Sequence, residues 1–241
     1  MKKEPSDLIQ AVVVNHNTSR FVELMLRSLY AKHAPTLNLA MTVMDNSSTD
    51  DMPELQTFLE QQNIPLQQSG FSTETERNSH GEVLSRFVLA HPDCAYYLFL
   101  DADVYFLQEG TIDAMLTTLN GRADLFGVGV HQSWDGREEI PAEIHEAIYK
   151  RRLHPCCALM RNTPTFRRVV EEVGLTGINY CWVAGETYWD TFELMTKVMK
   201  THGLYHALCP NMVYHFFSVS YDERYMERKN RECAMLLAAL R

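Results

Sequence analysis

Two carboxylates one residue apart, Asp101 and Asp103, directly follow the apolar run YYLFL at residues 96–100. Five consecutive apolar residues fit a strand buried on both faces, as in a parallel sheet. In extended backbone, residues two apart point to the same side. Both carboxylates therefore fall on one side of a strand's C-terminal end, where open α/β sheets place their ligands. Unpaired, they would repel each other and lose solvation, and a divalent cation with oxygen preference resolves both problems. The competing reading is a solvated turn, because a bare D-x-D recurs by accident. A second pair, Glu186 and Asp190, opens a helical pattern with a spacing that projects both from one face. The helix macrodipole favours carboxylates at such a position, so this pair reads either as chemistry or as stabilisation of a helix start.

The chain that must position these groups has 241 residues, enough for one domain with a sizeable core. A hydrophobic fraction of 46% with 22% charged residues is ordinary globular composition. The net charge of −9 argues against a general nucleic-acid binder, though a metal could mediate contact with the phosphates of a nucleotide. Six scattered cysteines without a C-x-x-C pair, and no signal peptide, read as reduced buried thiols. No apolar stretch reaches the length of a membrane span, so a soluble, cytoplasmic protein is expected.

Taken in order, residues 8–14 (LIQAVVV) read as a buried strand. Phe21, Leu24, Met25, Ser28 and Leu29 mark a helix that ends before Pro35. A strand at 39–44 leads into the acceptor-rich turn DNSSTDD, and Pro53 opens a helix with Leu55, Phe58 and Leu59 on one face. A weaker strand at 64–68 and a helix at 82–90 precede the central strand. Beyond it come a helix through Ile112, Met115, Leu116 and Leu119, and a strand at 124–130. A polar stretch at 134–152 reads as a lid loop, and a helix at 166–173 follows Asn162-Thr163-Pro164. The longest helical pattern spans 186–202, then short strands at 204–208 and 212–217, and a last helix at 221–240. Alternating strands and helices predict an α/β fold, a doubly wound, mostly parallel sheet flanked by helices. The missing G-x-G-x-x-G after the first strand argues against a dinucleotide-binding domain.

Four segments in order resemble the nucleotide-sugar glycosyltransferases of the GT-A fold, and most closely the inverting family 2. They are AVVVNHN, VMDNSSTDD, ERNSHG and LFLDADV, which together cover residues 8–107. The resemblance implies a single domain over residues 1–241, with a donor half at 8–107 and an acceptor half at 108–241. It implies that Asp45, with Asn46 beside it, accepts a hydrogen bond from the nucleobase, for which an acceptor-only carboxylate is suited. The backbone of Val14, Asn15 and Asn17 would line base and ribose, Arg77 would stand near base and phosphates, and Asp101 and Ala102 would complete the nucleotide contacts. Asp101, Asp103 and His215 would hold Mn²⁺ or Mg²⁺, a donor set better suited to Mn²⁺. Asp190 would be the general base, with Glu186 second; Trp189 and His154 would face the acceptor. His154 and Trp189 read equally as packed side chains, and the weaker alternative for Asp45 is a helix cap. His80, an insertion relative to the family spacing, reads as a structural hydrogen-bonder.

The implied reaction moves a sugar from a UDP-, GDP- or dTDP-sugar to a small-molecule, glycan or lipid-linked acceptor. A sugar-phosphate nucleotidylyltransferase would carry a Gly-rich basic loop after the first strand, which NHNTSR is not. A non-catalytic nucleotide-binding module is the other rival. The apolar end of the last helix, residues 235–240, reads first as packing on the domain, and otherwise as the seam of a homodimer or a contact for a lipid-linked acceptor.

Overall fold

A computed structural model describes residues 7–33, 37–50, 52–71, 79–134, 138–139, 152–175, 191–217, 219 and 226–240. The strands are β1 (Ile9–Asn15), β2 (Leu39–Asp45), β3 (Leu66–Gln68), β4 (Tyr96–Leu100), β5 (Val104–Phe106), β6 (Leu125–Trp134), β7 (Glu138–Glu139), β8 (Cys157–Arg161) and β9 (Tyr205–His215). The helices are α1 (Ser19–Lys32), α2 (Pro53–Gln61), α3 (Ser79–Ala90), α4 (Thr111–Asn120), α5 (Pro164–Val173), α6 (Glu193–Thr201) and α7 (Met226–Leu240). The sheet runs β3-β2-β1-β4-β8-β6-β9-β5, with β7 paired to β6. It is mostly parallel: β3, β2, β1 and β4 form one parallel block, and β6 and β9 a second. β8 joins the blocks antiparallel to both neighbours.

The alternation of β1 explains its central place. Ile9, Ala11 and Val13 enter one core while Val12 and Val14 enter the other, and all five are buried. β4 divides in the same way, with Leu98 and Leu100 on the first side and Tyr97 and Phe99 on the second. The first core lies under α1, α2 and α4, the second under α3, α5 and α6. A smaller cluster joins α1 and α7 through Phe21, Leu24, Tyr214, Phe216, Cys233 and Leu237. The end of α7 thus packs on its own domain through Leu237, while Met235 stays exposed.

The sheet curls, and chain connectivity demands it. Asp101, Ala102 and Asp103 alone separate β4 from β5, yet β8, β6 and β9 lie between those strands in the pairing order. Four strand spacings in a flat sheet need about 19 Å, whereas that link reaches about 14 Å fully extended. The far end of β9 therefore returns towards β4, and β5 pairs antiparallel with it, Val104 opposite His215.

Four expectations change. The two short strands at 204–208 and 212–217 are one strand, β9, with an irregularity where Gly129 pairs Leu208 and His131 pairs Met212. Pro210 lies in that extra stretch, where its missing N–H costs no ladder bond. Of the helix expected at 186–202, residues 186–190 lie outside the described set, and α6 begins at Glu193, after Phe192 at φ +73°, outside the helical region. α7, not α6, is the longest helix among the described residues. β8 is an added strand, and its continuous burial between Pro155 and Asn162 is that of a strand covered on both faces. The proposed lid falls almost wholly on residues outside the described set; β6 extends into its start at Trp134.

Candidate metal and nucleotide site

Parallel registers bring the functional turns to one edge. Asn15 pairs with Asp45 at the ends of β1 and β2, and Val13 with Leu100, so the residues after β1, β2 and β4 emerge side by side. The three turns behave differently once there.

The turns after β1 and β2 are bolted together by the side chains that the family resemblance assigns to nucleotide contact. Asn15 is fully buried; its amide nitrogen donates to Asp45 Oδ1 at 3.2 Å and Ser48 Oγ at 3.1 Å, and its oxygen accepts from the Thr18 amide at 3.2 Å. The second Asp45 oxygen accepts from the Ser48 amide at 3.3 Å. Asn17, at φ +54°, accepts from the Thr49 and Asp50 amides at 2.7 and 3.1 Å. Asn46 Oδ1 accepts from Ser69 Oγ at 2.6 Å, while the Asn46 carbonyl meets His16 Nδ1 at 2.8 Å. Asp45 accepts within its own turn and does not cap α2, whose N-cap is Met52, and two of its lone pairs are engaged within the protein. Val14 is buried beneath these turns.

The turn after β4 carries the metal-type chemistry. Ligand atoms of Asp101, Asp103 and His215 lie within 4.8 Å of one another. His215 Nε2 stands 3.1 Å from Asp103 Oδ1 and 3.7 Å from Asp101 Oδ2. Its Nδ1 donates to Gln132 Oε1 at 3.0 Å, a contact that fixes the tautomer and aims Nε2 at the carboxylates. Burial alone would make Asp103 a weaker acid, but the charge and hydrogen bond of His215 outweigh it and hold its pKa below the usual range. His215 responds in kind: burial pulls it down, Asp103 and Asp101 raise it above an ordinary histidine, and the Lys229 charge opposes them. Ala102, between the two carboxylates, is buried.

Two further histidines reach Asp101. His80, on the first turn of α3, places Nε2 3.6 Å from Oδ1, a polar position within the site rather than a remote structural bond. His154, on the approach to β8, places Nδ1 3.8 Å from Oδ2 and packs edge-on against His215. That Nδ1 already accepts the Cys156 amide proton at 3.1 Å, so it carries no proton of its own. Burial first, then the nearby Arg152 and His215 charges, hold His154 well below its usual pKa and keep it neutral. His154, Cys156 and His215 also come within ligand distance. The engaged His154 nitrogen, and a Cys156 thiol pushed well up by burial and by Asp101, make that set the poorer one. Two carboxylates and one imidazole fit a Mn²⁺-type ion, with mixed oxygen and nitrogen donors and a fixed second shell.

Arg77, Glu186, Trp189 and Asp190 lie outside the described residues. What is described beside them is Thr191, whose carbonyl accepts from Arg152 at 2.8 Å. Gln132 and the Cys156 main chain, which accepts from the Asp101 amide at 3.1 Å, are site residues that the sequence reading missed. Alternation along β6 could have flagged Gln132 as a polar residue on a buried strand; nothing local marks Cys156. Cys94, Cys156, Cys157, Cys209 and Cys233 are free and buried, as expected of reduced thiols. Among the described residues no helix is long and apolar enough to cross a membrane.

No family model matches the sequence, and no curated protein sequence matches it significantly. In structure the chain is similar to the mannosyltransferase PcManGT from Pyrobaculum calidifontis, solved with GDP-Man and Mn²⁺. The TM-score is 0.60 at 15% identity, over 98% of this chain and 66% of that one. It is similar to S. aureus TarS solved with UDP-GlcNAc, with a TM-score of 0.58 at 12% identity, over 95% of this chain and 66% of that one. The chain spans just under two thirds of the length of these two proteins. It is also similar to glucosyl-3-phosphoglycerate synthase from Mycobacterium tuberculosis, solved with Mn²⁺, UDP and glucosyl-3-phosphoglycerate. Here the TM-score is 0.56 at 11% identity, over 97% of this chain and 80% of that one. At such identities the likeness is one of architecture: the chain has the GT-A glycosyltransferase fold.

Proposed function

We propose that this protein is a metal-dependent glycosyltransferase that moves a sugar from a nucleoside-diphosphate sugar to an acceptor hydroxyl, with inversion. The observation that carries the proposal is the meeting of Asp101, Asp103 and His215 at the carboxyl ends of the strands of a glycosyltransferase fold. These three residues would hold Mn²⁺, the ion present in the structures of two of the similar proteins, with Mg²⁺ as the poorer fit. Bound there, the ion would supply Lewis-acid compensation of the charge on a leaving nucleoside diphosphate.

The remaining tasks fall to the chain itself. The fastened turns around Asn15, Asn17, Asp45 and Asn46 form a rigid wall, whose free Asp45 lone pairs and main chain suit the base and ribose of a UDP-, GDP- or dTDP-sugar. Arg77 would approach the phosphates. His154, neutral and buried beside Asp101, would border the acceptor side. Asp190, or Glu186 in its place, would take the proton from the acceptor hydroxyl, a role that typically contributes about 10² to 10⁴-fold. Trp189 would stack on the acceptor sugar. Five free thiols support action in a reducing compartment, which we take to be the cytoplasm.

Nucleoside diphosphate release from UDP-, GDP- and dTDP-sugars with Mn²⁺, Mg²⁺ or chelator tests this reading. Release from one donor that needs metal, and is lost in Asp103→Asn and Asp190→Asn, is the expected result. No nucleotide binding with any metal would sink the proposal and leave only the fold.

A further inference from the structure

His215 is the last residue of β9, and the chain on both sides of it is tied to one face of α7. Before it, the Tyr214 hydroxyl donates to Glu232 Oε2 at 2.8 Å. After it, Lys229 Nζ donates to the main-chain oxygen of Phe217. Lys229 and Glu232 are three positions apart and so share a face of the helix. Lys229 is only 7% exposed, and lysine is almost never buried unless paired.

What Lys229 grips is unusual backbone. Phe217 stands at φ +54°, a region that bulky L residues rarely adopt, and its ring lies 4.0 Å from the His215 ring. The neighbouring residues close around Asp103. The Phe216 amide donates to the Asp103 carbonyl at 2.9 Å, and the Val219 amide donates to the Asp103 carboxylate. The end of β9 therefore carries one metal-type ligand, and the segment after it wraps another and is held by the Lys229 ammonium.

We propose that α7 is a positioning helix for the metal site, in which Lys229, through the Phe217 carbonyl, and Glu232, through the Tyr214 hydroxyl, hold His215 against the Asp101–Asp103 carboxylates. The inference rests on the metal-dependent reading above. A lysine that only satisfied the Phe217 carbonyl would, when replaced by methionine, lower stability without changing Mn²⁺ affinity. Replacing a positioning lysine lowers the affinity as well, because outer partners of metal ligands govern affinity.

The test is Mn²⁺ titration of the full chain, followed by the electron paramagnetic resonance signal of free Mn²⁺, with metal-free melting curves alongside. Wild type should bind Mn²⁺ and Asp103→Asn should not. Lys229→Met should lose about 10- to 100-fold in Mn²⁺ affinity, Lys229→Arg should recover most of it, and Arg231→Ala, on the exposed face of α7, should match wild type. Lys229→Met binding Mn²⁺ as tightly as wild type overturns the inference and leaves the metal site standing. Wild type that binds no Mn²⁺ overturns the metal site and the inference with it. Should Lys229→Met not fold, Tyr214→Phe carries the test: a weaker Mn²⁺ affinity supports the clamp, and an unchanged one overturns it.

Discussion

Gln132→Leu removes the one partner that fixes the His215 tautomer while nearly conserving volume on a buried strand. In the wild-type protein Gln132 Oε1 accepts from Nδ1 at 3.0 Å, so the other ring nitrogen is the one presented to Asp101 and Asp103. Leucine leaves a buried N–H unpaired, which costs about 1–3 kcal/mol, or lets the ring turn or change tautomer and withdraw Nε2 as a ligand. Loss of such an outer partner weakens metal affinity by about 10- to 100-fold, or about 1.4–2.8 kcal/mol at 1.4 kcal/mol per decade. The expected loss of Mn²⁺ affinity by calorimetric titration is therefore about one to two decades. Gln132→Glu separates orientation from bulk: a carboxylate accepts the Nδ1 proton at least as well, so its Mn²⁺ affinity should equal or exceed that of wild type. A folded Gln132→Leu protein with wild-type Mn²⁺ affinity, or a Gln132→Glu protein as impaired as the leucine variant, would refute the reasoning.

Asn15→Leu should lower stability by about 3 kcal/mol in denaturant titration, since it strips partners from Asp45, Ser48 and the Thr18 amide in a buried place. Thr163→Ala removes the oxygen that caps the Phe166 amide of α5 at 3.1 Å and should cost about 1 kcal/mol by the same measurement. His154 gives a pH signature. Its folded pKa lies well below the unfolded value near 6.5, so the stability it contributes is present above that value. That stability is lost as pH falls through about 6.5, where the unfolded chain takes up a proton that the folded chain refuses. The melting temperature of metal-free His154→Gln should therefore fall less steeply below pH 6.5 than that of wild type. A parallel decline in both proteins would show that His154 is protonated when folded.

Legibility in the sequence followed the range of the interactions. β1, β2 and β4 announce themselves through apolar runs, and their parallel register alone brings Asn15, Asp45 and Asp101 to one edge. The resemblance assigns His215 to the metal; the structure brings it beside Asp101 and Asp103 because β5 is too close to β4 in sequence to sit anywhere but where the sheet curls back. Local patterns misled where backbone conformation overrode side-chain periodicity. The stripe Tyr188, Phe192, Met195 and Met199 reads as one helix, yet Phe192 turns to φ +73° and seats its ring against Phe99 at 5.2 Å. A core contact thus accompanies the start of α6 at Glu193. β8 was missed because CCALM is too short to distinguish a strand from a buried connection. Its consequences are long-range: the antiparallel pairing of Leu100 with Cys157 is what lets the Cys156 carbonyl hold the Asp101 amide and His154 reach the carboxylate. Two residues of the D-x-D turn are thus aimed from opposite sides, Asp101 by the chain entering β8 and Asp103 by the chain leaving β9. A change in either strand's end should therefore reach the candidate metal site without touching Asp101, Asp103 or His215.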